Sequence, residues 1–246
     1  DPNDKAGSRG AGIAQYLAGE EPLRYTILFE NVETATAAAQ EVVITDQLDG
    51  GKVDFDTFSL GPISFGEKTV APPPGLSQYS TSVDLRPAND LLVGIDASLD
   101  KTTGIITWRF TSIDPLTGQF TEDPLAGFLP PNVTPPEGDG GVLFTIKPKV
   151  TGTPICNRAN IVFDVNDPIL TPEWCNTIDN APPSSAVQSL SATQPTPDFT
   201  VQWAGSDQGA GIESYSIFVS ENGGPFTPWV ETTTDLSAIF SGQPGR

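Results

Sequence analysis

The sequence predicts an all-β protein, a β-sandwich over residues 1–180 followed by an incomplete immunoglobulin-like sandwich over residues 181–246. Three observations carry that prediction. Short runs alternate apolar, β-branched or aromatic residues with polar ones, the period-2 signature of strands with one buried face. The 24 prolines and 24 glycines are dispersed without a period, which suits many short strands joined by turns and excludes a collagen-like repeat. Apart from one short candidate helix near Ala11 to Leu17, no 3.6-residue apolar stripe is sustained.

Taken in order, Leu23 to Glu30 reads LRYTILFE, a clean alternation, and Glu41 to Thr45 (EVVIT) follows an Ala/Thr-rich turn. Asp54 to Leu60, Tyr79 to Leu85 and Leu91 to Leu99 come next. Gly104 to Ser112 (GIITWRFTS) is the strongest strand signal, and Gly141 to Lys147 and Asn157 to Asp164 complete the set. Turn chemistry separates them at Asp49-Gly50-Gly51, Pro72-Pro73-Pro74-Gly75, Thr103-Gly104, Pro130-Pro131-Asn132 and Gly138-Asp139-Gly140-Gly141. Residues 114–140 form a long Pro- and Gly-rich connection whose Phe120, Phe128 and Leu129 favour packing against the sandwich.

Pro182-Pro183-Ser184-Ser185 marks the domain boundary. Beyond it Val187 to Ala192, Phe199 to Ala204, Ile212 to Ser220, Phe226 to Val230 and Ser237 to Phe240 read as five strands, with a tight turn at Asn222-Gly223-Gly224. An immunoglobulin-type sandwich needs about seven. The second domain is therefore expected to be truncated, continued elsewhere, or completed by strands of another chain.

Charge and composition narrow the function. There are 31 acids against 12 basic residues, a net charge of −19. That balance argues against nucleic acid and anionic membrane, both of which call for basic patches. It suits calcium-rich or extracellular fluid, with plain solubility as the alternative. No stretch approaches the ~20 apolar residues of a membrane helix. Asp1 is not a start methionine, so the lack of a visible signal peptide carries no information. Cys156 and Cys175 are the only cysteines. They read most simply as one disulfide of an exported protein, worth roughly 3 kcal/mol by loop entropy. Two buried free thiols are the alternative.

The motif Asp-x-Asn-Asp occurs twice, as Asp1-Pro2-Asn3-Asp4 and as Asp164-Val165-Asn166-Asp167. Clustered short oxygen ligands repel unless a cation sits among them, and calcium takes six to eight oxygens from such side chains, carbonyls and water. Asp1, Asn3, Asp4, Asp164, Asn166 and Asp167, with Glu30 as a further contributor, are the candidate ligands of a structural calcium ion. The two clusters would meet at one pole of the sandwich. Turn initiation and capping are the competing roles for the same residues. The glycine-bearing loop of EF-hands is absent.

The run Tyr25-Thr26-Ile27-Leu28-Phe29-Glu30-Asn31, then Thr34-Ala35, then Val42-Val43-Ile44-Thr45-Asp46-Gln47-Leu48, resembles the conserved-repeat β-domains of bacterial surface and secreted proteins. With Asp1 to Lys5, Thr111 to Pro115, Gly127 to Pro131 and Phe163 to Asn166, the resemblance is to an uncharacterised subfamily and covers roughly residues 1–180. It implies an extracellular β-sandwich module with no established activity. The tail, from Phe199 to Trp203, Gly209 to Ile212 and Tyr215 to Gly224, resembles a fibronectin-type or bacterial immunoglobulin-like module. Asp164-Val165-Asn166-Asp167 is locally similar to the calcium linker of cadherins. Sandwiches of bacterial surface proteins also carry intramolecular Lys–Asn isopeptide bonds. Here Lys5, Asn157 or Asn160, and Glu30 as the protonated acid would supply one, with a solvated, ion-paired Lys5 as the alternative.

Catalysis finds no constellation. His and Met are absent, which removes Ser-His-Asp and Cys-His arrangements and the commonest nitrogen ligand of zinc. Thirty-one acids guarantee chance carboxylate pairs, and the glycine-rich stretches do not form a phosphate loop. Asn132-Val133-Thr134 is a chance N-glycosylation sequon if the source is bacterial. The expectation is a non-catalytic, calcium-rigidified extracellular segment of a stalk, surface layer, filament or adhesin. Its partners would be other domains of the same chain or neighbouring copies. The alternative is a polysaccharide-binding accessory module of a secreted hydrolase, which needs exposed rings among Trp108, Trp174, Trp203 and Trp229.

Overall fold

A computed structural model describes residues 3–243. The first half runs β1 (Asp4–Ala6), β2 (Tyr16–Leu17), β3 (Leu23–Glu30), β4 (Glu41–Gln47), β5 (Val53–Phe65), β6 (Lys68–Val70) and β7 (Gln78–Asp84). It continues with β8 (Leu92–Asp100), β9 (Ile105–Ile113), β10 (Asp139–Pro148), β11 (Pro154–Asn157), β12 (Ala159–Phe163), β13 (Ile169–Leu170) and β14 (Trp174–Ile178). The remainder holds β15 (Ser184–Val187), β16 (Asp198–Ser206), β17 (Tyr215–Val219), β18 (Thr227–Thr233) and β19 (Ser237–Ser241). Two compact units divide between Ile178 and Asp179.

The first unit is a sandwich of two antiparallel sheets, ordered β1-β3-β10-β5-β6 and β13-β12-β4-β9-β8-β7, with a small third sheet β11-β14-β2. Alternation decides what is inside. Leu23, Tyr25, Ile27 and Phe29 of β3 and Val142, Phe144 and Ile146 of β10 face Val42 and Ile44 of β4 and Ile106, Trp108 and Phe110 of β9 within one buried cluster. Aromatic rings fill its centre. Phe144 lies 5.1 Å from Tyr25, 5.7 Å from Phe58 and 5.8 Å from Trp108. The 114–140 connection packs down as its apolar residues require: Phe128 and Leu129 are buried and Leu129 bridges Ala39, while Phe120 stays half exposed.

Three local readings need correction. The stretch near Ala11 to Leu17 is no helix: Ala11 and Tyr16 exchange backbone hydrogen bonds at 2.9 Å around a turn with positive φ at Gly12 and Gln15. Glycine on either side of Ala11 makes that turn cheaper than a helical one. The strand expected to stop at Leu60 runs on to Phe65, because a register shift opposite Leu143 takes up Gly61 and Pro62. A bulge tolerates a residue without an N–H donor where a regular ladder does not. The run from Asn157 to Asp164 is two strands in two sheets, broken at Arg158. Thr171 secures the break, its hydroxyl accepting from the Ala159 N–H at 2.9 Å. The strands β1, β2, β6 and β13, of two or three residues each, are too short to show a period.

Close packing of β3 against β10 depends on a missing side chain. A Cβ on Gly140 would lie 2.1 Å from the Phe29 ring, which is itself buried. Gly140→Ala is expected to cost about 1–3 kcal/mol by overpacking, read as a lower urea midpoint with an unchanged m-value.

The second unit has a three-stranded sheet β15-β16-β19 and a hairpin β17-β18. Val201, Trp203 and Ile217 form its buried centre. The hairpin turn has positive φ at Asn222 and Gly223, as type I′ requires, and the Gly224 N–H closes it on the Glu221 carbonyl at 2.9 Å. The first strand of this unit lies at Ser184–Val187, earlier than the Val187 to Ala192 expected. Its small residues pair with Trp203 to Ser206, and an edge strand needs little apolar content.

Candidate functional site: a buried lysine, aspartate and asparagine

Three polar side chains meet inside the first sandwich, each from a different sheet. Lys5 is the central residue of β1 and pairs with Ile27, so its side chain enters the core in phase with the apolar residues around it. It is 2% exposed. Asp46 ends the inward series Val42, Ile44, Asp46 of β4 and is 1% exposed. Asn157, the last residue of β11, is 6% exposed.

The lysine Nζ donates to Asp46 Oδ2 in a very short contact and to Asn157 Oδ1 at 2.6 Å. It also lies 4.7 Å above the Tyr25 ring and 5.3 Å above that of Phe144. The Asp46 Oδ1, the Tyr25 hydroxyl and the Trp108 indole N–H have no hydrogen-bond partner among the described residues.

So dry an environment disfavours charge. Burial lowers the Lys5 pKa against the opposing pull of Asp46, and burial raises the Asp46 pKa against the opposing pull of Lys5. Both shifts favour a neutral amine beside a protonated acid. Burial, then the charge of Asp46, pushes the Tyr25 hydroxyl up as well. A lysine amine whose pKa is lowered, in contact with a carboxamide and with a carboxyl group whose pKa is raised, supplies the groups that an amide exchange needs.

Strand β14 secures both ends of this arrangement. Its Cys175 is disulfide-bonded to Cys156, directly across the β11–β14 pair and one residue before Asn157. Asn176, fully buried, donates to the carbonyls of Ser8 at 2.8 Å and Gln15 at 3.1 Å, tying down the chain that follows Lys5. The Trp174 indole donates to Asn176 Oδ1 at 2.9 Å.

Of the residues expected to supply an isopeptide bond, Lys5 and Asn157 are in contact; the acid that meets them is Asp46, not the expected Glu30. Glu30 falls on the outward phase of β3, where its Oε1 accepts from Asn132 Nδ2 at 2.8 Å. Asn160, the other asparagine considered, lies on the outward phase of β12, between Ala159 and Ile161. Asp46 was legible in principle, as the one acid in phase with Val42 and Ile44. Of the alternative, a solvated and ion-paired Lys5, the solvation fails on its burial while the pairing with an acid holds, with Asp46 as that acid.

Among the calcium candidates, Asn3, Asp4 and Asp164 accept hydrogen bonds from backbone N–H groups. Asp164, at φ 51°, accepts from the N–H groups of Gln40 at 2.9 Å and Glu41 at 2.8 Å. Asn3 Oδ1 accepts from the Glu30 N–H at 3.3 Å, and Asp4 Oδ1 from the Lys5 N–H at 2.7 Å. The Asn166 N–H closes a turn on Phe163, and Asp167 is exposed. Asp1 lies outside the described residues. The Asn3 and Asp164 contacts fall at the two ends of the 31–40 connection, so the clusters share one pole but sit on different sheets. Among the described residues, the group of metal-type side chains close enough to share an ion is Cys156, Glu173 and Cys175, whose sulfurs are joined. Nearby, Asn132 Nδ2 bridges Glu30 and Asp139, which leaves the sequon asparagine buried. Burial, with Glu30 adding to it, raises the Asp139 pKa.

The tryptophans form no exposed row. Trp108 and Trp203 are buried, while Trp174 and Trp229 are half covered. Trp229 packs edge-on against Trp203 and Phe240.

The fold and this cluster together define an all-β sandwich with a dry amine–acid–carboxamide centre. Residues 1–71 match a family described as Domain of unknown function (DUF7619). That stretch includes Lys5 and Asp46 but not Asn157. No curated protein sequence matches the chain. Among solved structures, it is similar to the collagen-binding domain from a Staphylococcus aureus adhesin, with 12% identity, 72% of this chain and 96% of that one covered, and a TM-score of 0.34. It is also similar to the C-terminal domain of the Streptococcus agalactiae AgI/II polypeptide BspA, at 14% identity, 71% and 49% coverage and a TM-score of 0.37. A third is the collagen-binding subdomain of the Enterococcus faecalis surface protein ACE, at 14% identity, 72% and 94% coverage and a TM-score of 0.33. At that distance none of them assigns a ligand to this chain.

Proposed function

We propose that this chain is a non-catalytic structural or adhesive segment of an extracellular assembly, and that its first unit closes on itself through a Lys5–Asn157 isopeptide bond. The observation that carries the reading is the direct contact of Lys5 Nζ with both Asp46 and Asn157 inside the core. A side-chain lysine is almost never fully buried without a partner, and a merely structural ion pair at this depth recovers little of its desolvation cost. A condensation does better, because its product is uncharged.

The chemistry balances without a cofactor. The lone pair of neutral Lys5 Nζ attacks Asn157 Cγ while the protonated Asp46 polarises the carboxamide. The Nζ–Cγ bond forms, Asp46 relays the amine proton to the departing nitrogen, and the Cγ–Nδ2 bond breaks. One ammonia leaves and Asp46 regains its proton. This is a single self-modification and not turnover. The extracellular setting is supported by the disulfide, which persists in oxidising compartments. The test is intact-mass measurement of the purified chain, which should be lighter than its disulfide-bonded sequence by one ammonia, with Lys5 and Asn157 recovered in one branched peptide. A mass equal to that of the uncondensed chain rejects the reading.

A structural calcium ion at the 31–40 pole is a separate proposal, supported by the doubled Asp-x-Asn-Asp motif and by the like charges of Glu30 and Asp139 meeting there. Adding calcium to chelator-treated protein is expected to raise Tm and to slow proteolysis of residues 168–186. Curves that superimpose with and without chelator remove the ion from the account.

A further inference from the structure

The isopeptide reading has a mechanical consequence that involves the disulfide. Asn157 and Cys156 are consecutive residues. The disulfide leaves Cys156 for Cys175, 19 residues on, with 4.0 Å between their Cα atoms. Lys5 reaches Asn157 across 152 residues. The two crosslinks therefore stand in series, separated by one peptide bond.

We propose that the Lys5–Asn157 bond and the Cys156–Cys175 disulfide form a continuous covalent shunt that carries tension through the first unit without unfolding it. This rests on the isopeptide reading above. Load entering at the start of the unit passes from Lys5 to Asn157, along one peptide bond to Cys156, across the disulfide to Cys175, and leaves three residues later at Ile178. The second unit begins at the next residue. Neither of the two loops, from residue 5 to 157 or from 156 to 175, lies on that path. Each crosslink alone protects one loop and leaves the other to extend, so both are needed for an inextensible module.

Their placement is informative for that reason. Had the disulfide joined any pair inside residues 6–155, it would lie within the loop already closed and add nothing under load. It begins instead at the residue next to the isopeptide carboxamide and ends next to the unit's last residues. The disulfide is at the surface, with Cys156 exposed and Cys175 half-buried beside the Glu173 carboxylate. Reductant therefore reaches it in the folded protein, and the shunt can be opened at that point alone.

Single-molecule pulling on the full chain with handles at both ends tests this. Unfolding of the second unit is the event common to every sample and marks each valid trace. Oxidised wild type should show that event and no extension from the first unit. With reductant, one additional step of roughly 6 nm should follow, the length of the released segment at about 3.5 Å per residue. Asp46→Asn in the oxidised state should instead add roughly 50 nm on the same scale. Identical traces for oxidised and reduced wild type, both lacking any step from the first unit, overturn the shunt and leave the isopeptide intact. A step of roughly 50 nm in oxidised wild type overturns the isopeptide reading itself, as does an uncondensed mass for the same sample. The comparison of oxidised with reduced wild type needs no mutant, so it stands even if Asp46→Asn does not fold.

Discussion

On the proposed Lys5–Asn157 bond, Asp46→Asn protein is expected to keep the ammonia that the wild type would lose, and to unfold far more easily. In the proposed condensation the acid polarises the carboxamide and relays the proton. Asparagine occupies nearly the same volume but cannot shuttle a proton, so condensation should stop or slow by orders of magnitude. Closing a loop between residues 152 positions apart contributes about 5 kcal/mol on the chain-entropy account used for disulfides. That contribution disappears with the bond. Intact mass and urea unfolding on one preparation read both effects. A second variant separates covalent from ionic contributions. Replacing the pair by apolar residues, as Lys5→Met with Asp46→Leu, removes both charges at similar volume, a change that is often neutral or stabilising for an uncrosslinked ion pair. If that double variant matches wild-type stability, the buried contact is an ion pair and nothing more. If it falls by several kcal/mol, a bond has been lost.

Phe144→Ala should be comparably damaging, by a different route. The ring is fully buried, stacks on Tyr25 and lies tilted against Phe58 and Trp108. Truncating such a side chain costs about 3–5 kcal/mol through lost transfer energy and the cavity left behind. Because the same ring covers Lys5 Nζ at 5.3 Å, the cavity also opens the site to water. Desolvation is the first cause holding the Lys5 pKa down and the Asp46 pKa up. With water admitted, the lysine pKa moves back upward and the aspartate pKa back downward, which favours ammonium and carboxylate. An ammonium has no lone pair to attack with. Freshly refolded Phe144→Ala should therefore lose ammonia much more slowly than wild type at the same pH, followed by mass against time. An unchanged rate would mean that the apolar cover does not set the protonation state.

Much of the architecture was legible because it is local. LRYTILFE declares β3 to the residue, since its alternation matches the pleat and nothing tertiary competes. Asn222-Gly223 declares a hairpin, since both positions tolerate positive φ. Phe128 and Leu129 declare that a Pro-rich connection folds down, since exposing them costs more than ordering the loop. Where reading failed, a non-local term won. Arg158 looked like the interior of one strand and is a crossing point between sheets. Residues 11–17 looked weakly helical, but glycines allowed a turn that the β14 edge could capture. The doubled Asp-x-Asn-Asp is a different case: oxygens of Asn3, Asp4 and Asp164 accept from neighbouring backbone N–H groups, the turn role the sequence offers beside metal binding, and calcium stands as a proposal.

The candidate site divides along the same line. From the sequence Lys5 reads as a lysine with an asparagine partner, and Asp46 stands inside a run that resembles a surface-protein repeat. Their roles could not be assigned, because which acid meets an amine depends on the register of three strands in three sheets.

By itself the sequence determined the all-β class, the strand-by-strand alternation, the turn positions and the presence of two cysteines able to pair. Each of these follows from residues within a few positions of one another. Only the tertiary structure decided that Lys5 faces Asp46 and Asn157 instead of solvent, and that the disulfide begins one residue from that contact. Those facts join positions 41, 152 and 19 residues apart. The physical reason is that packing, not local preference, sets which buried polar groups find each other, and a dry core makes their meeting consequential.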